Sequence, residues 1–430
     1  MQRLLHIGLG NFHRAHQAWY TARAEGDWRI TGVVMRNEAL FDTLKNGTGY
    51  SLGIRGANGL QVEHITVHDR VLLASRDAAA VVDAFVDPEL HVVTLTITEK
   101  GYCLAPATGR LDLTHPDIAA DLAGRPSGAI GLLAHGLARR MDAGLNPLTV
   151  LSCDNLSGNG SKLAAAVEDF AKSANIAFDP GNRFPDTMVD RITPATTEGL
   201  IDEITASAGR PAVAPVMTEA FTEWVIEDDF AGPRPDWENV GAELVPDVAP
   251  FEKRKLRLLN AAHSWLAYAG LLAGHRYVHE AMADPALRRG VERLWDMAAA
   301  TLPPVVIDTL PAYRDALIDR FAVAEMRHEL IQIAADGSLK MRERIVPLMG
   351  NTAEGSQALD AVAAWIAFAL RAHRDGTVFA DPNAKQIARL FDDARDIRDA
   401  AAQMADLIGV PDASPVLLDT LATRVTSYAV

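Results

Sequence analysis

The chain opens on a short apolar run, Leu4 to Leu9, that meets Gly8 and Gly10 and passes into a segment of helical spacing, Phe12 to Glu25. A second β-type run follows at Trp28 to Met35, and Val71 to Ala74, His91 to Thr98 and Leu148 to Ser152 continue the series. Ala-rich stretches such as Asp77 to Phe85 and Gly128 to Ala143 lie between them and suit helices. Short apolar runs alternating with helical blocks predict βαβ units and a mainly parallel sheet covered on both sides.

From Phe251 onward strand-like runs become rare, and Ala, Leu, Arg and Glu recur in long periodic blocks broken by Pro303-Pro304, Pro311 and Asp381-Pro382. This pattern predicts a second, mostly α-helical domain. The stretch from Ala231 to Pro250 has turn chemistry and little periodicity, which sets the expected domains at 1–246 and 247–430. The longest apolar run, Ala361 to Leu370, is short of the roughly 20 residues needed to span a bilayer and reads as a buried helix.

Composition narrows the partners. With 430 residues, 49% hydrophobic and 23% charged, the chain is long enough for two cores. Its 41 basic against 56 acidic residues give a net charge of −15, which argues against nucleic acid and anionic lipid and for a small-molecule or protein partner. Two cysteines, Cys103 and Cys153, are too few for a disulfide framework or a structural zinc site. The expectation is a reducing, cytoplasmic setting, no metal, and a monomer or small homo-oligomer. Met1 to Ile7 leads directly into the glycines and leaves no room for a secretory signal.

Gly8-Leu9-Gly10 after a strand allows a sharp turn and close backbone approach to a pyrophosphate, as in Rossmann-type domains. The usual third glycine position holds His13, so the fingerprint is incomplete. After the second strand, Arg36 can stack on adenine or accept a 2′-phosphate and Glu38 can serve the ribose, so NAD and NADP both remain open. Thr98-Glu99-Lys100-Gly101-Tyr102 ends another strand and is a candidate border of the cofactor. In Cys153-Asp154-Asn155-Leu156, Asn155 can donate an amide to a developing oxyanion, or Asp154 or Asn155 can cap the helix beginning near Ser161.

The densest polar constellation is Lys255 to His263. On an α-helix Lys255, Asn260 and His263 fall at roughly 0°, 140° and 80°, sharing one face with a proton acceptor, an amide and an imidazole. An amphipathic helix with an exposed Lys and a satisfied core His gives the same pattern without chemistry.

Taken together, Gly8-Leu9-Gly10-Asn11-Phe12-His13-Arg14-Ala15-His16, Thr98 to Tyr102, Cys153 to Leu156, Met188-Val189-Asp190-Arg191-Ile192 and the Lys255, Asn260, His263 helix resemble the polyol-specific long-chain dehydrogenases. That family includes mannitol 2-dehydrogenase, arabinitol dehydrogenase and the mannonate–fructuronate reductases, and the pieces occur in its order over nearly the whole chain. The resemblance implies an N-terminal nucleotide-binding domain, a helical C-terminal domain and metal-independent oxidation of a secondary alcohol with NAD or NADP. It implies Lys255 as general acid/base, Asn155 and Asn260 polarising the oxygen, His263 orienting substrate and Lys255, and Asp190 coupling Lys255 to solvent protons. Gly8, Gly10, Asn11, Phe12, Arg36, Thr98, Glu99, Lys100 and Asn155 are the expected cofactor residues. Arg327, His328 and Lys340, in a stretch closer to the hexuronate reductases, are the expected substrate contacts. Ala324-Glu325-Met326 stands where relatives commonly carry an Asn-Pro pair.

None of the seven tyrosines has Lys four residues later, which removes the short-chain dehydrogenases. The two cysteines lie fifty residues apart without a dense ligand group, which argues against a zinc-dependent polyol dehydrogenase. The alternative to an enzyme is a non-catalytic nucleotide-binding sensor or scaffold with the same fold.

Overall fold

In the computed structural model the first strand, β1 (Gln2–Ile7), lies between β2 (Trp28–Val34) and a later strand, so the chain has crossed the sheet. The structure describes all residues except 48, 57–58, 107, 125, 351–355, 378–379, 411–412 and 429–430. The chain divides into two compact units, Met1–Ala249 and Pro250–Val430.

The remaining strands of the first unit are β3 (Tyr50–Gly56), β4 (Gly59–Ile65), β5 (His68–Leu73), β6 (Leu90–Leu95), β7 (Thr149–Ser152), β8 (Thr187–Asp190), β9 (Val216–Glu219), β10 (Glu223–Glu227) and β11 (Glu243–Val245). Five of them form one sheet in the order β5-β2-β1-β6-β7, every pair parallel. Alternating side chains explain why the sheet is covered twice. Leu5, Ile7, Val93, Leu95 and Val150 enter one core cluster with Ile130, Leu133 and Phe170, while Leu4, Val92 and Leu151 enter the other with Trp224 and Trp237. The doubly wound expectation holds.

Two small sheets went unforeseen, β4-β3-β9 and β11-β10-β8. β8, β9, β10 and β11 are only three to five residues long, and β4 is mostly exposed or half-buried, so they lack the continuous apolar signal of the main sheet. The expected single helix from Phe12 to Glu25 is also broken: Asn11–Ala15 and Gln17–Thr21 are separate helices meeting at His16 (φ −121°, ψ −89°). The cause is local. His16 shares a hydrogen bond with the Glu223 carbonyl (3.0 Å) and another with the Gln17 amide (2.9 Å), which turns it toward β10.

The second unit is helical. Its central helix, Ala261–Leu272, is buried at every position from Ala261 to Gly270, as expected of a helix packed all round. Around it pack Pro285–Ala299 and Gln357–Arg374, the latter holding the Ala361 to Leu370 run in its buried face. Among the described residues no helix is long and apolar enough to cross a membrane.

Candidate active site

In the first unit, sequence order in the sheet reverses between β1 and β6, and ligands of such sheets sit beyond the carboxyl ends of the strands at that point. A cavity of about 940 Å³ opens there. Gly8, at φ +97°, makes the turn after β1, and a Cβ on it would lie 2.2 Å from the Thr96 carbonyl oxygen. Only glycine fits this approach. Thr96 in turn donates its hydroxyl to the Gly8 carbonyl at 2.9 Å, fastening the loop after β6 to the glycine turn.

Gly8, Gly10, Asn11, Arg36, Thr98 and Lys100 line the cavity. Of the other expected cofactor residues, Phe12 stacks on His16 (5.1 Å between ring centroids), and Glu99, in the short helix Thr98–Gly101, and Asn155, after β7, are exposed rather than in the cavity wall. Arg14 belongs to the same Gly8 to His16 motif. It is 3% exposed, lines the cavity, donates to the Gly10 carbonyl (3.2 Å), the Asn11 side chain (2.7 Å) and the Ala214 carbonyl, and is brought down to about 10 by burial.

Asp154 has a different task from capping. The helix Asn159–Ala174 has Gly158 at its N-cap, and the Asp186 carboxylate accepts from the Ser161 N–H of its first turn at 3.0 Å. The Asp154 carboxylate instead accepts from the backbone N–H groups of Ile97 (3.0 Å) and Thr98 (2.8 Å) and from the Tyr102 hydroxyl (2.9 Å). It thereby holds Thr98 in a left-handed conformation (φ 65°) that a threonine rarely adopts. Burial raises the carboxyl above its usual range, partly offset by these donors. Asp190 ends β8, 5% exposed, opposite Glu223 of β10.

His13, in the place of the third glycine, is fully buried beneath the glycine turn. Its ring stacks on His6 (3.3 Å between centroids), and its Nε2 shares a 3.0 Å hydrogen bond with His68 Nε2. The His6 ring nitrogens bond Thr94 (2.8 Å) and Thr96 (3.0 Å). Burial holds all three imidazoles neutral, helped by mutual repulsion and by Arg14, with His68 lowered to about 3.

In the second unit, Lys255 ends the helix Ala249–Lys255, and Leu256–Asn260 is a π-helical turn before Ala261–Leu272. This corrects the expectation of one continuous α-helix. On an α-helix residues five apart diverge by about 140°, whereas the i→i+5 bond of a π turn brings them toward one side, so the turn draws Asn260 back toward Lys255. Trp295 Nε1 donates to the Leu258 carbonyl at 3.1 Å and supports the turn. A second π turn, Met341–Ile345, packs against the first, with the Arg344 guanidinium 3.5 Å from the Asn260 carbonyl.

Lys255 and His263 are 9% and 8% exposed. Among the described residues His263 Nε2 is buried without a hydrogen-bond partner, and its ring lies against Phe321 (4.7 Å) and edge-on to His328 (5.2 Å). Burial, then His328, Arg320, Arg344 and Lys340, keep it neutral. Lys340 is half-buried and donates to the Ile333 carbonyl at 3.0 Å; burial and Arg344 lower its pKa. Arg327 is exposed on a left-handed turn (φ 43°) that directs it toward solvent. Arg320 and Arg344 were missed. Arg320 was legible in principle, since Leu310, Tyr313, Leu317 and Arg320 follow the buried stripe of the helix Leu310–Ala322.

Comparison with known proteins gives matches along the chain. Residues 2–239 match the family model for the mannitol dehydrogenase Rossmann domain, and residues 247–421 that for the mannitol dehydrogenase C-terminal domain. A D-arabinitol 4-dehydrogenase of Ralstonia nicotianae is 41% identical over 364 residues, covering 81% of this chain and 78% of the relative. A D-mannonate oxidoreductase of Escherichia coli is 38% identical over 360 residues, covering 80% and 74%. The Pseudomonas fluorescens mannitol 2-dehydrogenase, solved as a ternary complex with NAD and D-mannitol, superposes with a TM-score of 0.79 at 33% identity, covering 99% of this chain and 91% of that one.

Proposed function

The chain belongs to the mannitol dehydrogenase family, and from that premise we propose that it is an NAD-dependent oxidoreductase interconverting a secondary alcohol and a ketone on a linear polyol or sugar acid. The observation that carries this reading is the glycine turn after β1 fastened to the Thr96–Thr98 loop after β6, beside a cavity of about 940 Å³, room enough for a dinucleotide. When bound, NAD supplies the hydride acceptor. The residues that would hold it are Gly8, Gly10, Asn11, Arg36, Thr98 and Lys100, with Arg14 adding a buried guanidinium.

Hydride leaves a secondary alcohol carbon only as its hydroxyl loses a proton, so a base must reach that oxygen. We assign Lys255 this role. A lysine serves as base near neutrality where burial or nearby cations disfavour its charge, and Lys255 is buried. Asn260 and Asn155 are assigned the two amide donors that stabilise the alkoxide. His263, neutral and with Nε2 available as a donor or acceptor, orients the substrate hydroxyl. Asp190 is assigned the exchange of the abstracted proton with solvent. Within the substrate class, Arg320, Arg344, Lys340 and His328 about His263 favour a sugar acid, whose carboxylate these groups would attract.

The test is a panel of mannitol, arabinitol, altritol and mannonate with NAD⁺ and NADP⁺, followed at the nicotinamide absorbance. Turnover with mannonate and NAD⁺ is expected. Lys255→Ala should lower turnover by about 10²-fold or more while NAD⁺ still binds. Unchanged turnover would overturn the role of Lys255, and dinucleotide binding without turnover on any substrate would favour a sensor.

A further inference from the structure

Cys103, His115 and Asp117 converge on the wall of the first unit's cavity, each offering one ligand atom within 4.8 Å of the others. They are spaced twelve and two residues apart and come from two elements: the turn after the helix Thr98–Gly101, and the start of the helix Pro116–Leu122. Three features set them apart from a chance surface cluster. Cys103 is 7% exposed and takes a left-handed backbone (φ 51°), an unusual conformation for a side chain other than glycine. Its thiol has only long contacts, 3.7 Å to the Lys100 carbonyl and 3.8 Å to that of Gly101. Asp112 and Asp121 add negative charge about the sulfur, and Arg36 opposes it.

We propose that Cys103, His115 and Asp117 form a binding site for a thiophilic divalent cation, zinc, and that the metal competes there with the dinucleotide. Sulfur, imidazole nitrogen and carboxylate oxygen are the three ligand types zinc accepts, and three protein ligands leave a fourth position for water. Bond lengths of about 2.0–2.3 Å place tetrahedral ligand atoms about 3.5 Å apart, so the present cluster closes by side-chain rotation alone. Binding replaces the thiol proton by the metal and releases that proton to solvent. It also displaces two weak local contacts, the 3.3 Å bond from the Asp117 N–H to His115 Nδ1 and the 3.3 Å pairing of Asp117 with Arg36. Arg36 follows the second strand, where this architecture receives the adenosine ribose, so a metal drawing Asp117 away from Arg36 alters that end of the cavity. The competition rests on the proposed dinucleotide reading; metal binding itself does not.

Cobalt(II) substitutes for zinc and reports on its ligands through a cobalt–thiolate charge-transfer band. The intact protein titrated with Co²⁺ should develop this band, which Zn²⁺ then bleaches. Cys153→Ser should keep it, Cys103→Ser should abolish it, and His115→Ala should weaken Co²⁺ binding. A band that never forms, or that survives Cys103→Ser, overturns the site. Calorimetry then measures NAD⁺ binding with and without Zn²⁺, each variant against its own metal-free value. With Zn²⁺ at roughly ten times its own Kd, the apparent Kd for NAD⁺ should rise about tenfold in the unaltered protein and stay constant in Cys103→Ser. NAD⁺ binding that is strengthened or unaffected by Zn²⁺ overturns the competition. Absence of NAD⁺ binding to metal-free protein overturns the dinucleotide reading and the competition with it, while the cobalt band still decides the metal site.

Discussion

Acidification should loosen the first unit through three histidines that cannot take up protons while folded. His6, His13 and His68 are fully buried, stacked or hydrogen-bonded to one another, and all have pKa values below the ordinary 6.5. Because the folded values lie below the unfolded one, the unfolded chain binds more protons as pH falls. The stability these groups permit is therefore complete above about pH 6.5 and is lost progressively below it, until the folded values are reached, about 3 for His68. Each neutral imidazole disfavours the folded state by about 1.4 kcal/mol at pH 5.5 and about 0.2 at pH 7 relative to a freely titrating one. For three groups the difference is about 4 kcal/mol. The raised carboxyls of Asp121 and Asp154 act in the opposite sense and the lowered imidazole of His91 in the same sense, so this figure counts the three buried histidines alone. Hydrogen exchange of peptides from β1, β2 and β6, corrected for intrinsic rates, should lose up to about a thousandfold protection between these pH values. His68→Gln should remove about a third of that dependence. A loss below about tenfold, or an unchanged slope in His68→Gln, would refute the reasoning.

Two further substitutions separate cofactor binding from chemistry. Asp154→Ala removes the acceptor of the Ile97 and Thr98 N–H groups, each bond to a charged partner contributing about 1.5–3 kcal/mol; calorimetry should show NAD⁺ affinity down by tenfold or more. An unchanged Kd would show that the loop needs no clamp. Trp295→Phe leaves the Leu258 carbonyl in the π turn without its indole donor at a cost of about 1–3 kcal/mol, so kcat should fall while NAD⁺ Kd holds, read from steady-state kinetics alongside calorimetry.

The main sheet was legible because its central strands are buried on both faces and read as mostly apolar runs, as at Leu4 to Ile7 and Val92 to Leu95. The small sheets were not, because β4 and β11 carry few buried residues and β3 finds its second partner, β9, some 160 residues away. Gly8 and Gly10 declared their turn through composition alone. The bend at His16 did not, since its cause is the Glu223 carbonyl some two hundred residues away. The π turn at Leu256–Asn260 is equally silent: a helical wheel assumes constant rotation, and nothing in Leu-Arg-Leu-Leu-Asn announces the wider turn. Arg344 and the Cys103, His115, Asp117 group are tertiary coincidences of the same kind, visible once the backbone brings distant or differently oriented segments together.

The carboxylate of Asp154 has one more consequence, in the thermodynamics of ligand capture. Ordering a free loop costs about 1–2 kcal/mol of conformational entropy for each residue fixed, and a ligand that must order its own site gives up that much affinity. Here Ile97, Thr98 and Tyr102 are already immobilised by a single side chain before any ligand arrives. Ligand binding at this wall should therefore lose little entropy to loop ordering, and its rate should be set by encounter rather than by loop rearrangement.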